Sequence, residues 1–199
     1  MGPQRRWRAY ATALLDVAER CGVTRIVSLG ALLAAVPHTR PPRVTGSSTD
    51  PTWQARLEAW GMYRRPRYEG PTGIASVVLE AARRRGMASL SLMGQAPHYL
   101  QGATNPAVSR ALLTTVSRLL GLALDLSPFE AVVQAFGSQC DQAVAQDAAI
   151  QAYVRQLEQD YEATSDEAPR PLRDETLNPA QLMQELEDFL RKEREGRAE

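Results

Sequence analysis

The sequence lacks the features that mark several classes of protein. Its 199 residues include only two cysteines, Cys21 and Cys140, too few for a disulfide framework or a structural zinc site. No apolar run approaches the ~20 residues that a membrane-spanning helix needs. The first residues also lack the order of charged, apolar and small residues that forms a signal peptide. We therefore predict a soluble, cytoplasmic protein that does not interact with membranes.

The net charge is zero, but the charges are unevenly distributed. Residues 1–125 contain sixteen arginines against seven acidic residues, whereas residues 126–199 contain seven basic residues against sixteen acidic ones. Opposite charges on two parts of one chain favour docking of one part on the other, within a chain or between copies. The arginine clusters at 64–67 and 83–85 have no interleaved aromatic residues, so we expect no nucleic-acid binding there. We expect either charged, solvated surface or contact with the acidic part of the chain.

Alternating helical and strand patterns predict an α/β fold with a largely parallel, layered sheet. The predicted helices cover residues 4–21, 50–60, 73–85 and 106–120, and the predicted strands cover 23–29, 43–47 and 87–93. Three strands are few for a parallel sheet covered on both faces. Either a partner supplies the missing edge or the chain is the back portion of a longer domain, and we favour the second explanation.

A different pattern begins at residue 127. Apolar residues recur at alternating steps of four and three from Phe129 to Tyr161, with only Asp147 polar, which is a heptad pattern. An unbroken helix over 128–163 would be ~54 Å long, longer than the ~35 Å diameter expected for the first 125 residues. We therefore expect it to break, most obviously at Gly137, or to project.

The end of the chain is acidic and contains a second, shorter apolar stripe. Residues 163–178 are predicted to form a mobile acidic loop, and a last helix follows Asn178. The two helical stripes pack either as an antiparallel hairpin or separately against the α/β core. We accordingly divide the chain into an α/β core over 1–126 and a helical extension over 127–199.

Three polar segments follow predicted strands or begin a helix, at the sheet edge where α/β proteins bind ligands. They are residues 29–33 with 37–40, residues 68–73 and residues 97–99. They contain both histidines of the chain, each directly after a proline. The glycines of the segment 70–73 permit close approach, and its exposed amides can form an anion nest. The acid–base candidates are His38, Glu69 and His98, and the ligand-binding candidates are Gly30, Thr39, Arg40, Gly70, Thr72, Gly73 and Tyr99.

Two interpretations of these segments remain open. In the first, the nest and Arg40 hold an anion while a histidine or Glu69 acts as acid or base. In the second, the polar side chains satisfy backbone groups of turns. The sequence has no hydrolase serine elbow, phosphate loop, dinucleotide fingerprint or metal-ligand spacing. We predict no metal and no cofactor, and we assign no catalytic residue.

Several of these segments resemble one known family. The motifs are LGALLAAVPHTRPPRVTG at 29–46, RYEGPTGIASVV at 67–78, APHYL at 96–100, NPA at 105–107 and AYVRQLEQDYE at 152–162. In this order and spacing they are similar to bacterial members of the proteasome assembly chaperone two family. The resemblance covers nearly the whole chain.

The resemblance implies a three-layer α/β/α domain, similar to nucleoside phosphorylases and related hydrolases, with a helical C-terminal extension. It also implies a homo-oligomer, usually a trimer in bacterial relatives, and about a further third of the domain ahead of Met1. Related chaperones dock on the proteasome ring through a C-terminal hydrophobic–Tyr–any tail. The tail here is Gly196-Arg197-Ala198-Glu199, which departs from that pattern.

We therefore expect a non-enzymatic, oligomeric interaction or assembly protein with a possible protein partner. The alternative is an enzyme or sensor that binds a small anionic or nucleoside-like ligand at the edge formed by the three segments.

Overall fold

The computed structural model describes residues 6–64, 73–100, 102 and 104–163. Over these residues the chain is a mixture of helices and short strands, as the alternating sequence pattern predicts. The elements, in chain order, are α1 (Trp7–Arg20), β1 (Arg25–Ala34), β2 (Val44–Ser48), α2 (Pro51–Ala59), α3 (Ile74–Arg84), β3 (Ala88–Pro97), a 3-10 turn (His98–Leu100), α4 (Pro106–Leu120), α5 (Pro128–Val144) and α6 (Ala148–Ala163).

The three strands form one sheet in the order β1–β3–β2. β1 and β3 are parallel, because Ala88 N–H bonds the carbonyl of Thr24 at one end and Gly30 approaches Met93 further along. β2 runs antiparallel to β3, since Thr49 bonds Ser89 near the start of β3. The prediction of a largely parallel sheet is therefore wrong for β2. Two helices, α2 and α3, connect β2 to β3 in place of the single crossover helix of a parallel pair.

Contacts divide the chain into two compact units, of which the first comprises Met1–Gly30 and Thr45–Met93. In this unit α1 packs against α3, and Gly22 ends α1 in the left-handed conformation that glycine allows. The core residues come from both helices and the start of the last strand: Ala11, Leu15, Val78, Ala82 and Met87. The side chain of Asp50 accepts hydrogen bonds from the backbone of Thr52 and Trp53 and so caps α2, which lies within the predicted span 50–60.

The second unit comprises Ala31–Val44 and Gly94–Glu199. Its core is built on α5 and α6, which contribute one apolar face each. The buried members are Tyr99, Leu100, Cys140, Ala143, Val144, Ile150, Val154 and Leu157. Most of the predicted heptad positions in the second half of the pattern therefore serve as core.

The helix that carries the heptad pattern is interrupted, but at a different residue from the predicted one. Gly137 lies inside α5, and the break falls at 145–147. There the Asp147 carboxylate accepts hydrogen bonds from the backbone of Ala149 at 2.7 Å and Ile150 at 3.3 Å. The only polar position of the pattern is thus the cap of a new helix, because a short acidic side chain satisfies the free N–H groups of a first turn.

Some predictions lie outside the described residues. These include the acidic loop over 163–178 beyond its first residue, the helix after Asn178 and the hairpin that this helix would form. The boundary between a core over 1–126 and an extension over 127–199 stays a prediction.

Candidate functional site

His38 and Tyr99 form the centre of the site, which lies within the second unit. The backbone N–H of His38 donates to the Tyr99 hydroxyl at 2.8 Å, and that hydroxyl lies 2.7 Å from Nδ1 of the His38 ring. The other ring nitrogen, Nε2, lies 3.1 Å from Asp141 Oδ1, and because a carboxylate only accepts, Nε2 carries the hydrogen and donates it. Burial lowers the pKa of His38, so the imidazole is neutral at neutral pH and its Nδ1 accepts the proton of the Tyr99 hydroxyl. Both ring nitrogens of His38 are thus bonded.

Hydrogen bonds also hold both ring nitrogens of His98, but this ring is the opposite tautomer. Its Nδ1 lies 3.1 Å from the backbone oxygen of Ala34, an atom that can only accept, so Nδ1 carries the hydrogen. Nε2 therefore accepts from the Tyr153 hydroxyl at 3.0 Å. The rings of His38 and His98 both stand edge-on to Tyr99, with centroid distances of 5.8 and 5.6 Å. The structure thus brings together the two histidines, as predicted.

Burial sets the titration of these groups. Desolvation lowers the pKa of both imidazoles, although Asp141 opposes this shift at His38. Burial also raises the pKa of the Tyr99 hydroxyl and raises that of the Cys140 thiol to about 12. Hydrogen bonds connect Asp141 to His38 and His38 to Tyr99. Tyr99 is only 2% exposed, and because burial raises its pKa, its hydroxyl stays protonated at neutral pH. The arrangement therefore offers neither a free base nor an activated nucleophile.

The segment after His38 is fastened to α6 by acidic side chains. Arg40 contacts Glu158 at 3.1 Å and Glu162 at 2.7 Å, and the Glu162 hydrogen bond raises the pKa of the guanidinium. Thr39 donates to the same Glu158 carboxylate. Two carboxylates thus already balance the charge of Arg40, the side chain that was predicted to hold an anion.

A second arginine of this segment also contacts α6. The guanidinium of Arg43 lies 3.8 Å from the centre of the Tyr161 ring and donates to the backbone oxygen of that residue. The Tyr161 hydroxyl in turn donates to the backbone oxygen of Pro41 at 2.9 Å. Residues 39–43 therefore contact the last two turns of α6, at positions 158, 161 and 162.

The remaining predicted residues are not part of this cluster. Gly30 lies inside β1 and not past its end, in the first unit, where an added Cβ would meet the Met93 sulfur at 2.8 Å. Gly73 is the residue before α3, also in the first unit. Glu69, Gly70 and Thr72 lie outside the described residues, so the predicted nest stays a prediction. In the described part of the chain, no group of three or more His, Cys, Asp or Glu residues could hold a metal ion.

Sequence reasoning missed the partners that α5 and α6 supply. These are Asp141, Tyr153, Glu158, Tyr161 and Glu162. All but Asp141 lie in the motif at 152–162, which the resemblance includes but which we interpreted only as part of a heptad pattern. The signal was the group Glu158, Tyr161 and Glu162, because positions three and four residues after 158 share one face of α6 with it.

The arginine cluster at 83–85 binds acids of its own unit. Arg83 and Arg84 both contact Glu80 at 2.8 Å, and Arg85 contacts Asp16 and Glu19. These contacts agree with the prediction that the cluster is charged surface. No helix among the described residues is long and apolar enough to cross a membrane.

Comparison with known proteins identifies the family. The model of the PAC2 family matches residues 1–144. The chain belongs to the PAC2 family. No curated protein matches the chain.

Three solved structures illustrate the likeness. A protein of unknown function from Mycobacterium tuberculosis has 27% identity and a TM-score of 0.74, over 83% of this chain and 55% of its own. A PAC2 family protein from Streptomyces avermitilis has 34% identity and a TM-score of 0.66, over 77% of this chain and 63% of its own. A proteasome-assembly chaperone homologue from Mycobacterium tuberculosis has 35% identity and a TM-score of 0.65, over 76% of this chain and 63% of its own. The chain thus spans less than two thirds of the length of each.

Proposed function

We propose that this PAC2 family chain is a non-enzymatic protein-interaction factor with an assembly-chaperone-like role. The observation that carries the proposal is its 35% identity to the proteasome-assembly chaperone homologue of Mycobacterium tuberculosis. The partner class that this likeness favours is a subunit of a proteasome core.

The geometry at His38 and His98 supports a role without catalysis. All four ring nitrogens have a hydrogen-bond partner, and each partner is a backbone group or a side chain of the same unit. An acid–base catalyst needs a nitrogen that can reach a substrate proton. We therefore favour the structural interpretation of both residues over the acid–base one.

Exposed apolar side chains support an interaction role. Leu32 and Leu33 on β1 are 43% and 39% exposed, and β1 is an edge strand of the described sheet. On α1, Leu14 and Val17 are 42% and 57% exposed. Apolar surface of this kind is often buried by a protein partner.

We further propose that the chain forms a homo-oligomer, a trimer by family resemblance, in the cytoplasm. The uneven charge, basic over 1–125 and acidic over 126–199, supports contact between copies. We also retain the three-layer α/β/α architecture for the core over 1–126, with the helical extension over 127–199, as part of this proposal.

Light scattering of the full chain tests the proposal. We expect a mass of three chains at low salt and a complex with purified proteasome core subunits from the same organism. An unrelated acidic protein of similar size serves as the control, since charge alone would bind it equally well. A strict monomer that forms no complex, or binds the control equally, contradicts the proposal.

A further inference from the structure

A cavity of about 120 Å³ opens in the second unit beside the segment that follows His38. A closed apolar cavity of roughly 150 Å³ can hold benzene. This cavity is smaller but open to solvent on one side, so it accepts the greater part of a compact ligand of that size. Much of its wall is apolar, with Val36, Pro37, Pro41, Pro42, Pro97, Ala107, Val133 and Phe136 among the lining residues. The cavity can therefore enclose a small apolar body.

The polar part of the lining contains no Asp or Glu among the described residues. It consists of His38, Arg40, Arg43, Gln95 and Asn105, and each of these side chains carries a hydrogen-bond donor. Glu158 and Glu162 already balance the charge of Arg40, so the donors left for a ligand are those of Gln95 and Asn105. An acceptor group suits these donors better than a cation does.

Gln95 is the most informative residue of the cavity. It is only 4% exposed, and within the described chain no other residue bonds its side-chain amide. Its backbone N–H donates to the carbonyl of Arg43, which fixes the residue at the end of β3. Because Gln95 lines the cavity, its amide faces the space that a ligand would occupy. A ligand that accepts its hydrogen bond would therefore give this amide a partner.

Asn105 supplies a second donor at the same place. Its Oδ1 accepts from the backbone of Ala107 and Val108 and so caps α4, which leaves its NH₂ group for a different partner. The N-terminus of this helix of 15 residues also carries partial positive charge. Both features favour an anion next to Asn105.

We propose that this cavity binds a small monocarboxylate with a compact apolar body. The carboxylate accepts hydrogen bonds from the amides of Gln95 and Asn105, and the body contacts the proline, Val133 and Phe136 wall. A phosphate ion has no apolar part to contact that wall, and a nucleoside is larger than the cavity. This inference is independent of the assembly role, because binding requires neither an oligomer nor a protein partner.

The test is a titration of the full chain, labelled with ¹⁵N, with benzoate as the probe. We expect saturable changes in the side-chain NH₂ signals of Gln95 and Asn105. The neutral isostere benzamide and inorganic phosphate should each bind at least tenfold more weakly. Equal binding of benzamide, equal binding of phosphate, or no saturable change at these two signals overturns the proposal.

A variant tests the same inference while preserving the fold. Asn105→Asp retains the oxygen that caps α4 and replaces the NH₂ donor with a negative oxygen. We expect it to weaken benzoate binding at least tenfold with an unchanged unfolding midpoint. Gln142→Glu, an exposed change on α5 outside the cavity, adds the same charge and is the matched control. Unchanged benzoate binding by Asn105→Asp refutes the assignment.

Discussion

The Tyr99 hydroxyl contacts His38 twice, accepting from its backbone N–H at 2.8 Å and donating to its ring Nδ1 at 2.7 Å. One phenolic oxygen thus fixes both the path of the backbone and the tautomer of the side chain. Tyr99 belongs to the buried core that α5 and α6 form, so its contacts anchor the segment after His38 to that core. Several measurable consequences follow from this contact and from its neighbours.

Removing the hydroxyl should destabilise the protein. Tyr99→Phe leaves the backbone N–H and Nδ1 of His38 without a partner in a buried place, which costs about 1–3 kcal/mol of unfolding free energy. Urea unfolding measures the loss. Tyr10→Phe, at a tyrosine that is 44% exposed on α1, is the control and should change the free energy by less than about 0.5 kcal/mol. Equal effects of the two changes would contradict the contact.

Stability should fall as the solution becomes acidic. Burial lowers the folded-state pKa of His38 and His98 below the unfolded value, which is about 6.5. The unfolded chain therefore binds more protons, and the unfolding free energy decreases as the pH falls below about 6.5 towards the folded pKa values. Above that pH both states hold neutral imidazoles and the contribution is complete.

The histidines can be separated from other titrating groups because the chain has only these two. The double variant His38→Asn, His98→Asn should show a smaller change in unfolding free energy between about pH 7.5 and about pH 5.5. Its asparagines retain a polar group near each Nδ1 position. If the variant and the unsubstituted chain lose the same free energy over this interval, the histidines do not cause the acid sensitivity.

Local signals in the sequence predicted α1 to α4 and the three strands of the described sheet. The predicted span 50–60 contains α2, and the predicted span 106–120 is that of α4. β1 was predicted too short, because Gly30 resembles a strand end. In the structure the missing side chain leaves room for Met93 of the neighbouring strand. The sequence around Gly30 cannot show this role of glycine, because the role depends on Met93, which lies 63 positions further along the chain.

The candidate site was likewise predictable only where nearby residues determine it. The sequence placed His38 and His98 together because each follows a strand. It did not supply Asp141 or Tyr153, which lie 103 and 55 residues from the histidines they bond. These partners decide whether an imidazole is free or fixed, so the catalytic and structural interpretations were not separable before the fold was known.

The cap of α6 gives a third prediction. Asp147→Ala removes the acceptor for the N–H groups of Ala149 and Ile150, and should cost about 0.5–2 kcal/mol of unfolding free energy. Asp147→Asn preserves an acceptor oxygen and should cost much less. If Asp147 were instead a polar position of a continuous helix, alanine would stabilise the protein, because alanine is the better helix former.

Two glycines of the second unit should respond to alanine in opposite directions. Gly94 lies in β3, where an added Cβ would meet the Val108 side chain at 2.6 Å, so Gly94→Ala overpacks the contact with α4 and should cost about 1–3 kcal/mol. Gly137 lies inside α5 with nothing within 4 Å of the added atom. Gly137→Ala should therefore stabilise the protein by about 0.5–1 kcal/mol, since glycine is the poorer helix former.

Urea unfolding of both variants distinguishes the two possible positions of the helix break. A break at Gly137 would require the backbone freedom of glycine, and Gly137→Ala would then lower the unfolding midpoint. With the break at Asp147, the same substitution raises the midpoint while Asp147→Ala lowers it. A lowered midpoint for Gly137→Ala would contradict a continuous α5 over Pro128–Val144.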